Sequence, residues 1–247
     1  MTPKGQGPEP GAVVGFDRAA DPADPAADHA DPAAELRGAQ GIFGGTFDPI
    51  HVAHLAVAET ARDQLGLDSV TFIPAGQPPH KLDRVISPAT DRLAMVEAAI
   101  ADNPAFRVSP VEIDRDGPSF TVDTLEALMA AGAGRLALII SMDSFLDLPT
   151  WHDPRRVLEL ATLVVAPREG VDDVGLEYLE RRLPGVRARA VMLGGPRLRL
   201  SASELRARAR SGRSLRYLVP DAVSAYIGDH ALYRNVAQPD SRRMDRS

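Results

Sequence analysis

Cysteine is absent from this chain of 247 residues. Without thiols the chain can form no disulfide bond, no thiolate metal site and no cysteine nucleophile. Long apolar runs are absent as well, because none approaches the ~20 residues that a helix needs to cross a bilayer. These absences fit a cytoplasmic protein, and we expect no membrane partner.

Aromatic residues and excess positive charge are also scarce. Aromatic residues make up 5% of the chain, with a single tryptophan, and the formal net charge is -6. An acidic chain is a poor match for the phosphate backbone of nucleic acids, so we expect no nucleic-acid partner. The 44% hydrophobic and 25% charged content is ordinary for a globular domain and leaves both a monomer and a homo-oligomer open.

The two chain termini differ in composition from the rest. Residues 20–34 repeat Asp-Pro-Ala with little hydrophobic content, and such a segment cannot repay the entropy lost on ordering. We therefore expect a disordered tail over residues 1–38, one domain over residues 39–234 and a flexible C-terminal tail over residues 235–247.

From residue 41 onward, strand and helix patterns alternate. The apolar segments predict strands at residues 41–43, 70–73, 106–113, 136–140, 163–166 and 189–193. The helical patterns fall at about residues 49–65, 91–101, 121–130, 154–160, 176–182, 202–210 and 220–226. This alternation predicts an α/β fold with a doubly wound parallel sheet and C-terminal helices beside it. In such sheets, ligands bind beyond the carboxyl ends of the strands.

The segment over residues 41–54 predicts a phosphate site at the start of a helix. It reads Gly-Ile-Phe-Gly-Gly-Thr-Phe-Asp-Pro-Ile-His-Val-Ala-His. Gly44 and Gly45 allow a ligand close to the backbone. Asp48 is the expected N-cap and Pro49 the expected first helical residue. The unpaired N–H groups at such a helix start favour anions.

Two histidines follow on the first turn of that helix. His51 and His54 are three residues apart, so both face the same ligand and can donate hydrogen bonds to phosphate oxygens. A pair of surface histidines is the alternative. A zinc site is less favoured, because the His-Glu-x-x-His spacing is missing.

A second helix start lies far along the chain, at residues 200–206. Ser201 is a good N-cap, and Glu204, three residues on, completes a capping box. Arg206 can form a planar fork around phosphate. The alternative is an ordinary capped helix with a solvated arginine.

Two segments between these motifs can contact a second substrate. Residues 119–125 open a helix after an Asp-Gly-Pro turn, and residues 148–153 form a loop that carries Trp151. An indole in such a loop can stack on a flat ring or fill the core beneath the loop, and the sequence leaves both open.

These motifs together resemble the nucleotidyltransferase superfamily that carries an H-x-G-H motif. The form G-G-T-F-D-P-I-H is most similar to bacterial nicotinate-nucleotide adenylyltransferases. The first motif has Ala53 in place of glycine, and the second differs from I-S-S-T-x-I-R at Ala202 and Ser203. The resemblance covers about residues 41–233 and implies a Rossmann-like nucleotidyltransferase fold.

The resemblance also implies an activity in NAD biosynthesis, the transfer of AMP from ATP to nicotinate mononucleotide with release of pyrophosphate. It implies catalytic roles for His51, His54 and Arg206. It implies ATP contacts at Gly44, Gly45, Thr46, Phe47, Asp143, Arg168, Ser201 and Ser203. It implies mononucleotide contacts at Lys81, Ser119, Phe120, Thr121, Trp151 and His152.

The family relation further implies that Mg²⁺ is held mainly by the substrate phosphates, so we expect no metal site made of protein ligands. Two alternatives stay open at this point. One is a related transferase that acts on nicotinamide mononucleotide or phosphopantetheine. The other is a nucleotide-binding module without catalysis.

Overall fold

The computed structural model describes residues 32–78, 86–167, 174–195 and 198–234. The strands within these ranges are β1 Gln40–Gly45, β2 Ser69–Pro74, β3 Phe106–Val108, β4 Leu136–Ser141, β5 Ala161–Ala166 and β6 Ala190–Met192. The α-helices are α1 Val52–Leu65, α2 Ala89–Ile100, α3 Thr121–Ala130, α4 Met142–Leu146, α5 Pro154–Leu160, α6 Val174–Arg182, α7 Ala202–Arg210 and α8 Asp221–Asp229. In these ranges no helix is both long and apolar enough to cross a membrane.

The strands form one parallel sheet in the order β3-β2-β1-β4-β5-β6. This confirms the doubly wound parallel sheet that the alternation predicts. The order reverses between β1 and β4, which is where sheets of this kind bind their ligands. β1 pairs with β4 only from Gln40 to Ile42, whereas it pairs with β2 as far as Gly45. A gap therefore opens between β1 and β4 at their carboxyl ends.

Successive side chains along the strands point to opposite faces of the sheet and pack into two separate cores. Phe43 of β1 packs into a core with α1, α2, α7 and α8. The preceding residue, Ile42, packs into a second core with α3, α4, α5 and α6. Because both faces of the sheet are covered, the central strands are almost continuously apolar, and this is why they are readable in the sequence.

Several element boundaries differ from the sequence prediction. β3 ends at Val108 and not at residue 113, because the N–H groups of Ile113 and Asp114 both bond to the carbonyl oxygen of Pro110 in a turn. α1 begins at Val52, three residues later than predicted. The short helix α4 lies in a segment where no helix is predicted from the sequence.

The last part of the predicted N-terminal tail belongs to the fold. Residues 34–36 form a 3-10 turn, and the side chain of Leu36 is buried in the first core. The guanidinium of Arg135 donates to the carbonyl oxygens of Glu35 and Arg37, which ties the turn to the start of β4. Residues 34–36 of the predicted tail therefore pack against the domain.

Candidate active site

A cleft of about 1160 Å³ opens at the carboxyl edge of the sheet, where β1 and β4 separate. The ends of these strands, the first turns of α1 and α3, and the loop before α7 line it. The predicted site residues that line it are Gly44, Gly45, Thr46, His51, His54, Ser119, Thr121, Trp151 and Ser201. One cleft therefore collects residues from four separate parts of the chain.

The cleft has two sides, which correspond to the two faces of the sheet. The histidine side carries His51, His54 and Ser201, on elements that pack into the first core. The tryptophan side carries Ser119 and Trp151, next to elements of the second core. Phosphate-binding residues are predicted on the first side and acceptor-binding residues on the second.

The two histidines form a closed pair at the start of α1. His51 is the N-cap residue, and its N–H donates to Nδ1 of His54 at 3.2 Å. The N–H of His54 in turn donates to the carbonyl oxygen of His51 at 2.9 Å. The two rings stack with their centroids 3.6 Å apart. The pair is thus held as one unit before any ligand arrives.

His51 is neutral at neutral pH. Its side chain is only 5% exposed, and burial lowers its pKa to about 4, because the charged imidazolium loses its hydration. Nδ1 of His51 has no hydrogen-bond partner among the described residues. A neutral imidazole can still donate one hydrogen bond to a phosphate oxygen, so its contribution is directional and not a full positive charge.

The two glycines that end β1 serve different purposes. A side chain at Gly44 would meet no atom within 4 Å, and this residue lines the cleft. A Cβ atom at Gly45 would lie 2.9 Å from the ring of Phe47. Phe47 itself is buried and does not line the cleft, and its ring packs edge-on against His54 at 5.1 Å. Gly45 therefore makes room for the aromatic ring that supports the histidine pair.

Asp48 is not the N-cap that the sequence predicts, and Pro49 is not the first helical residue. The carboxylate of Asp48 instead accepts from the Tyr233 hydroxyl at 2.7 Å and from the Ser87 N–H at 3.3 Å. With only 2% of its surface exposed, Asp48 is turned inward. These partners lie far away in the sequence, so local capping rules do not find them.

Arg206 reaches this same residue from α7. Its Nη1 donates to the carbonyl oxygen of Asp48 at 2.7 Å, and its Nη2 donates to Ser203 Oγ at 3.1 Å. Ser201 caps α7 as predicted, because its Oγ accepts from the N–H of Glu204 at 3.2 Å. Arg206 and Ser203 are not among the residues that line the cleft. They lie behind it, against the loop that leads to the histidines.

On the tryptophan side, Ser119 fixes the start of α3. Its Oγ accepts from the N–H groups of Gly76 and Gln77 at 3.0 and 3.2 Å, and its own N–H donates to the Gln77 carbonyl oxygen. The ring of Phe120 stacks on His152 with centroids 4.5 Å apart, and neither lines the cleft. Of the predicted aromatic contacts to the acceptor, Trp151 is the one that lines the cleft.

A buried carboxyl group in the cleft wall was missed by the sequence analysis. Glu112 is 7% exposed and accepts from the Thr124 hydroxyl at 2.7 Å. Burial raises the pKa of Glu112, and the hydroxyl groups of Thr124 and Ser119 partly oppose that rise. The available signal is an acidic residue between two apolar ones, Val111 and Ile113, but the predicted strand extends over this segment and hides the turn that aims Glu112.

A buried arginine joins the loops around the site and was also missed. Arg92 of α2 is 2% exposed and donates to the carbonyl oxygens of Thr46, Ser87 and Gly76 at 2.9, 3.0 and 3.3 Å. Burial lowers the pKa of Arg92. In the sequence, nothing sets this arginine apart from any other polar residue in a helix.

The remaining predicted residues have the following positions. Asp143 lies on the first turn of α4, beyond the end of β4, and is exposed. Its neighbour Ser141 caps that helix through its Oγ and lines the cleft. Lys81 and Arg168 lie outside the described residues.

Comparison with known proteins gives consistent matches. A family model described as cytidylyltransferase-like matches residues 42–208. A protein of Thermomicrobium roseum named probable nicotinate-nucleotide adenylyltransferase is 47% identical over 197 residues, which are 79% of this chain and 92% of that protein. A protein of the same name from a Roseiflexus species is 48% identical over 78% of this chain and 97% of its own length.

Solved structures match the fold. The nicotinic acid mononucleotide adenylyltransferase of Plasmodium falciparum, complexed with NaAD, superposes with a TM-score of 0.66 at 16% identity and covers 80% of this chain and 98% of its own. At this identity the likeness concerns the fold, which is the Rossmann-like fold of nucleotidyltransferases. The family match and the identity to these relatives together show that the chain belongs to the cytidylyltransferase-like family and, within it, to the nicotinate-nucleotide adenylyltransferases, which are nucleotidyltransferase enzymes.

Proposed function

We propose that this chain transfers AMP from ATP to nicotinate mononucleotide, giving nicotinate adenine dinucleotide and pyrophosphate. The names of the relatives at 47% and 48% identity support this reaction. The observation that carries it is the cleft itself, which brings the start of α1, with its two histidines, and the start of α3, beside an indole, together in one space.

The histidine side is suited to a triphosphate. The N-terminal ends of α1 and α7 both reach this side of the cleft through His51 and Ser201, and such helix ends attract anions. We assign the imidazoles of His51 and His54 as hydrogen-bond donors to the phosphate oxygens. Arg206, held behind them, supplies the positive charge that the neutral His51 does not.

The tryptophan side is suited to a pyridine nucleotide. The backbone N–H groups at the start of α3, around Thr121, can bind the pyridine carboxylate, and the indole of Trp151 can stack on the ring. Ser119 holds this helix start in place through its bonds to Gly76 and Gln77.

The chemical step needs positioning more than proton transfer. An oxygen of the mononucleotide 5′-phosphate attacks the α-phosphorus of ATP while the bond to the pyrophosphate oxygen breaks. The attacking oxygen is already anionic at neutral pH, so no general base is required. Catalysis then consists of alignment and of stabilising the charge that builds up on the leaving pyrophosphate.

Mg²⁺ enters this proposal with the nucleotide. In the part of the chain that the structure describes, no group of three or more His, Asp or Glu side chains could hold a metal ion. Mg²⁺ commonly keeps several waters and binds substrate phosphates. We therefore assign it to the triphosphate, where it offsets phosphate charge.

The test is a pyrophosphate-release assay with ATP, Mg²⁺ and one acceptor at a time. We expect release with nicotinate mononucleotide, and much slower release with nicotinamide mononucleotide or phosphopantetheine. Faster release with either of the other two would reassign the acceptor. Binding of ATP without release under any condition would instead identify a nucleotide-binding module.

A further inference from the structure

One buried aspartate connects three segments that are remote in the sequence. Asp48 lies in the loop between β1 and α1, three residues before His51. Its carbonyl oxygen accepts from Arg206, 158 positions away, and its Oδ1 accepts from Tyr233, 185 positions away. The loop that leads to the histidine pair is therefore fixed by α7 and by the turn that follows α8.

Tyr233 makes a specific contact there. Its hydroxyl donates to Asp48 Oδ1 at 2.7 Å, lies 3.9 Å from the sulfur of Met95 and also forms a hydrogen bond with the side chain of Ser87. Burial and the nearby Asp48 carboxylate raise the pKa of Tyr233, so the hydroxyl keeps its proton at neutral pH and remains a donor. Oδ1 of Asp48 thus has a permanent hydrogen bond from the C-terminal segment.

Arg206 lies between two acceptors on the same residue. Its Nη1 is 2.7 Å from the Asp48 carbonyl oxygen but 3.8 Å from Asp48 Oδ2. The carboxylate is therefore close enough to attract the guanidinium, yet it is satisfied mainly by the Tyr233 hydroxyl and the Ser87 N–H. This arrangement keeps the remaining guanidinium donors available for another anion.

Loss of the Tyr233 hydroxyl leaves the Asp48 carboxylate short of one hydrogen bond. A buried carboxylate that loses a hydrogen bond takes a replacement from the nearest donor, because an unsatisfied buried charge is costly. Among the described residues, the charged donor nearest to this carboxylate is Arg206, which would turn from its present position toward it. The same movement withdraws it from the ATP phosphates.

We infer that Tyr233 is a positioning residue for ATP, because its hydroxyl satisfies Asp48 and so leaves Arg206 available to the triphosphate. This inference rests on the proposed function only in naming ATP as the anion. Tyr233 touches no substrate in this arrangement and acts through Asp48 and Arg206.

The chain offers a matched control for the test. Tyr226, in α8, also donates its hydroxyl to an aspartate, Asp91 Oδ1 at 2.9 Å, and likewise ties the C-terminal region to α2. Among the described residues, no side-chain hydrogen bond or ion pair joins Asp91 to Arg206 or to the loop before His51. Tyr226→Phe therefore also loses a hydrogen bond from a tyrosine hydroxyl to an aspartate, but it leaves Asp48, Arg206 and Tyr233 unchanged.

The experiment measures ATP–Mg²⁺ affinity by calorimetry, and KM for both substrates, in the full chain with Tyr233→Phe or Tyr226→Phe. For Tyr233→Phe we expect Kd and KM for ATP to rise about tenfold, the value for one lost hydrogen bond to a charged group. The KM of the acceptor should stay unchanged. Tyr226→Phe should change none of these values, although both variants lower the melting temperature.

A double-mutant cycle tests the route through the arginine. In an Arg206→Ala background, Tyr233→Phe should change ATP affinity by less than about twofold, because the group on which it acts is gone. A full tenfold effect in that background would overturn the inference, as would equal effects of the two tyrosine variants or an unchanged ATP affinity in Tyr233→Phe. Calorimetry reports ATP binding without turnover, so a failure of the proposed reaction is distinguished from a failure of this inference.

Discussion

The two sides of the cleft are assembled from very different spans of the chain. On the tryptophan side, Glu112 bonds to Thr124, only 12 positions away. On the histidine side, Asp48 bonds to Arg206 and Tyr233, which are 158 and 185 positions away. The longest of the bonds described on the tryptophan side, from the Gly76 N–H to Ser119, spans 43 positions, whereas the histidine side is complete only after the far C-terminal part of the described chain has docked.

This difference separates two kinds of contribution to function. Each side buries one acidic side chain, and each satisfies it with a hydroxyl group. On the tryptophan side, the hydroxyl comes from the helix start that is proposed to bind the acceptor. On the histidine side, it comes from the last described segment of the chain. We therefore expect substitutions at the start of α3 to affect acceptor binding, and substitutions in the last described segment of the chain to affect ATP binding.

The strongest test of this separation is His54→Ala. The variant removes a donor to the triphosphate that becomes most important as charge develops on the leaving group. We expect kcat to fall by about 10²–10³, the loss typical for one such donor. The KM of the acceptor should change little, since His54 lies on the other side of the cleft. Initial-rate kinetics with both substrates varied would measure this, and unchanged turnover would remove His54 from the mechanism.

The histidine side should also respond to pH through His51. Its pKa falls from 6.5 to about 4 on folding, so the unfolded chain binds a proton more readily than the folded one. His51 therefore contributes about 3 kcal/mol to the free energy of unfolding above pH 6.5, and this contribution is lost as the pH falls toward 4.

The matching variant is His51→Asn, which retains a good N-cap residue but does not titrate. Urea unfolding between pH 7 and pH 4.5 should show a weaker pH dependence for this variant than for the parent chain. His230→Asn, at the exposed C-cap of α8, serves as control. Equal pH dependence of all three proteins would contradict a buried neutral His51.

On the tryptophan side, Thr124→Val tests the buried Glu112. The substitution keeps the shape of the side chain but removes the hydroxyl that donates to Glu112 at 2.7 Å. We therefore expect the free energy of unfolding to fall by about 1–3 kcal/mol. The KM of the acceptor should rise while that of ATP does not. Thr150→Val is the control, because Thr150 is exposed and bonds only to a neighbouring carbonyl group. A rise in the KM of ATP would show that the two sides are not separable.

The smallest effect is expected for Ser203→Ala. Its Oγ accepts from Arg206 Nη2 at 3.1 Å in an exposed position, where water can replace it. We expect ATP affinity to fall by about threefold or less, since exposed hydrogen bonds contribute little net free energy. Calorimetric titration with ATP would measure this. A loss as large as that expected for Tyr233→Phe would mean that Ser203, and not Asp48, controls the arginine.

The fold and the helix starts were predictable wherever the deciding interactions are local. The buried strands appear in the sequence as apolar runs, and the capping of α7 by Ser201 follows from its own next three residues. The fate of Asp48 was not predictable in the same way. An Asp-Pro pair before a helix is a local capping signal, but contacts from Tyr233 and Ser87 outweigh it.

Other misses have the same physical origin. Gly45 lines the cleft, but the sequence does not reveal that its missing side chain also makes room for the ring of Phe47. Glu112 was assigned to a strand that ends four residues earlier, at Val108, so its direction into the cleft could not be inferred. In each case the role of the residue depends on contacts in the folded structure, and these contacts are not visible in the linear sequence.

The position of Trp151 has a practical consequence. It is the single tryptophan in the chain, and it is part of the cleft wall. All tryptophan fluorescence of this protein therefore comes from one residue in the cleft wall. Quenching or a spectral shift on addition of a nucleotide reports occupancy of the tryptophan side directly, without any attached dye.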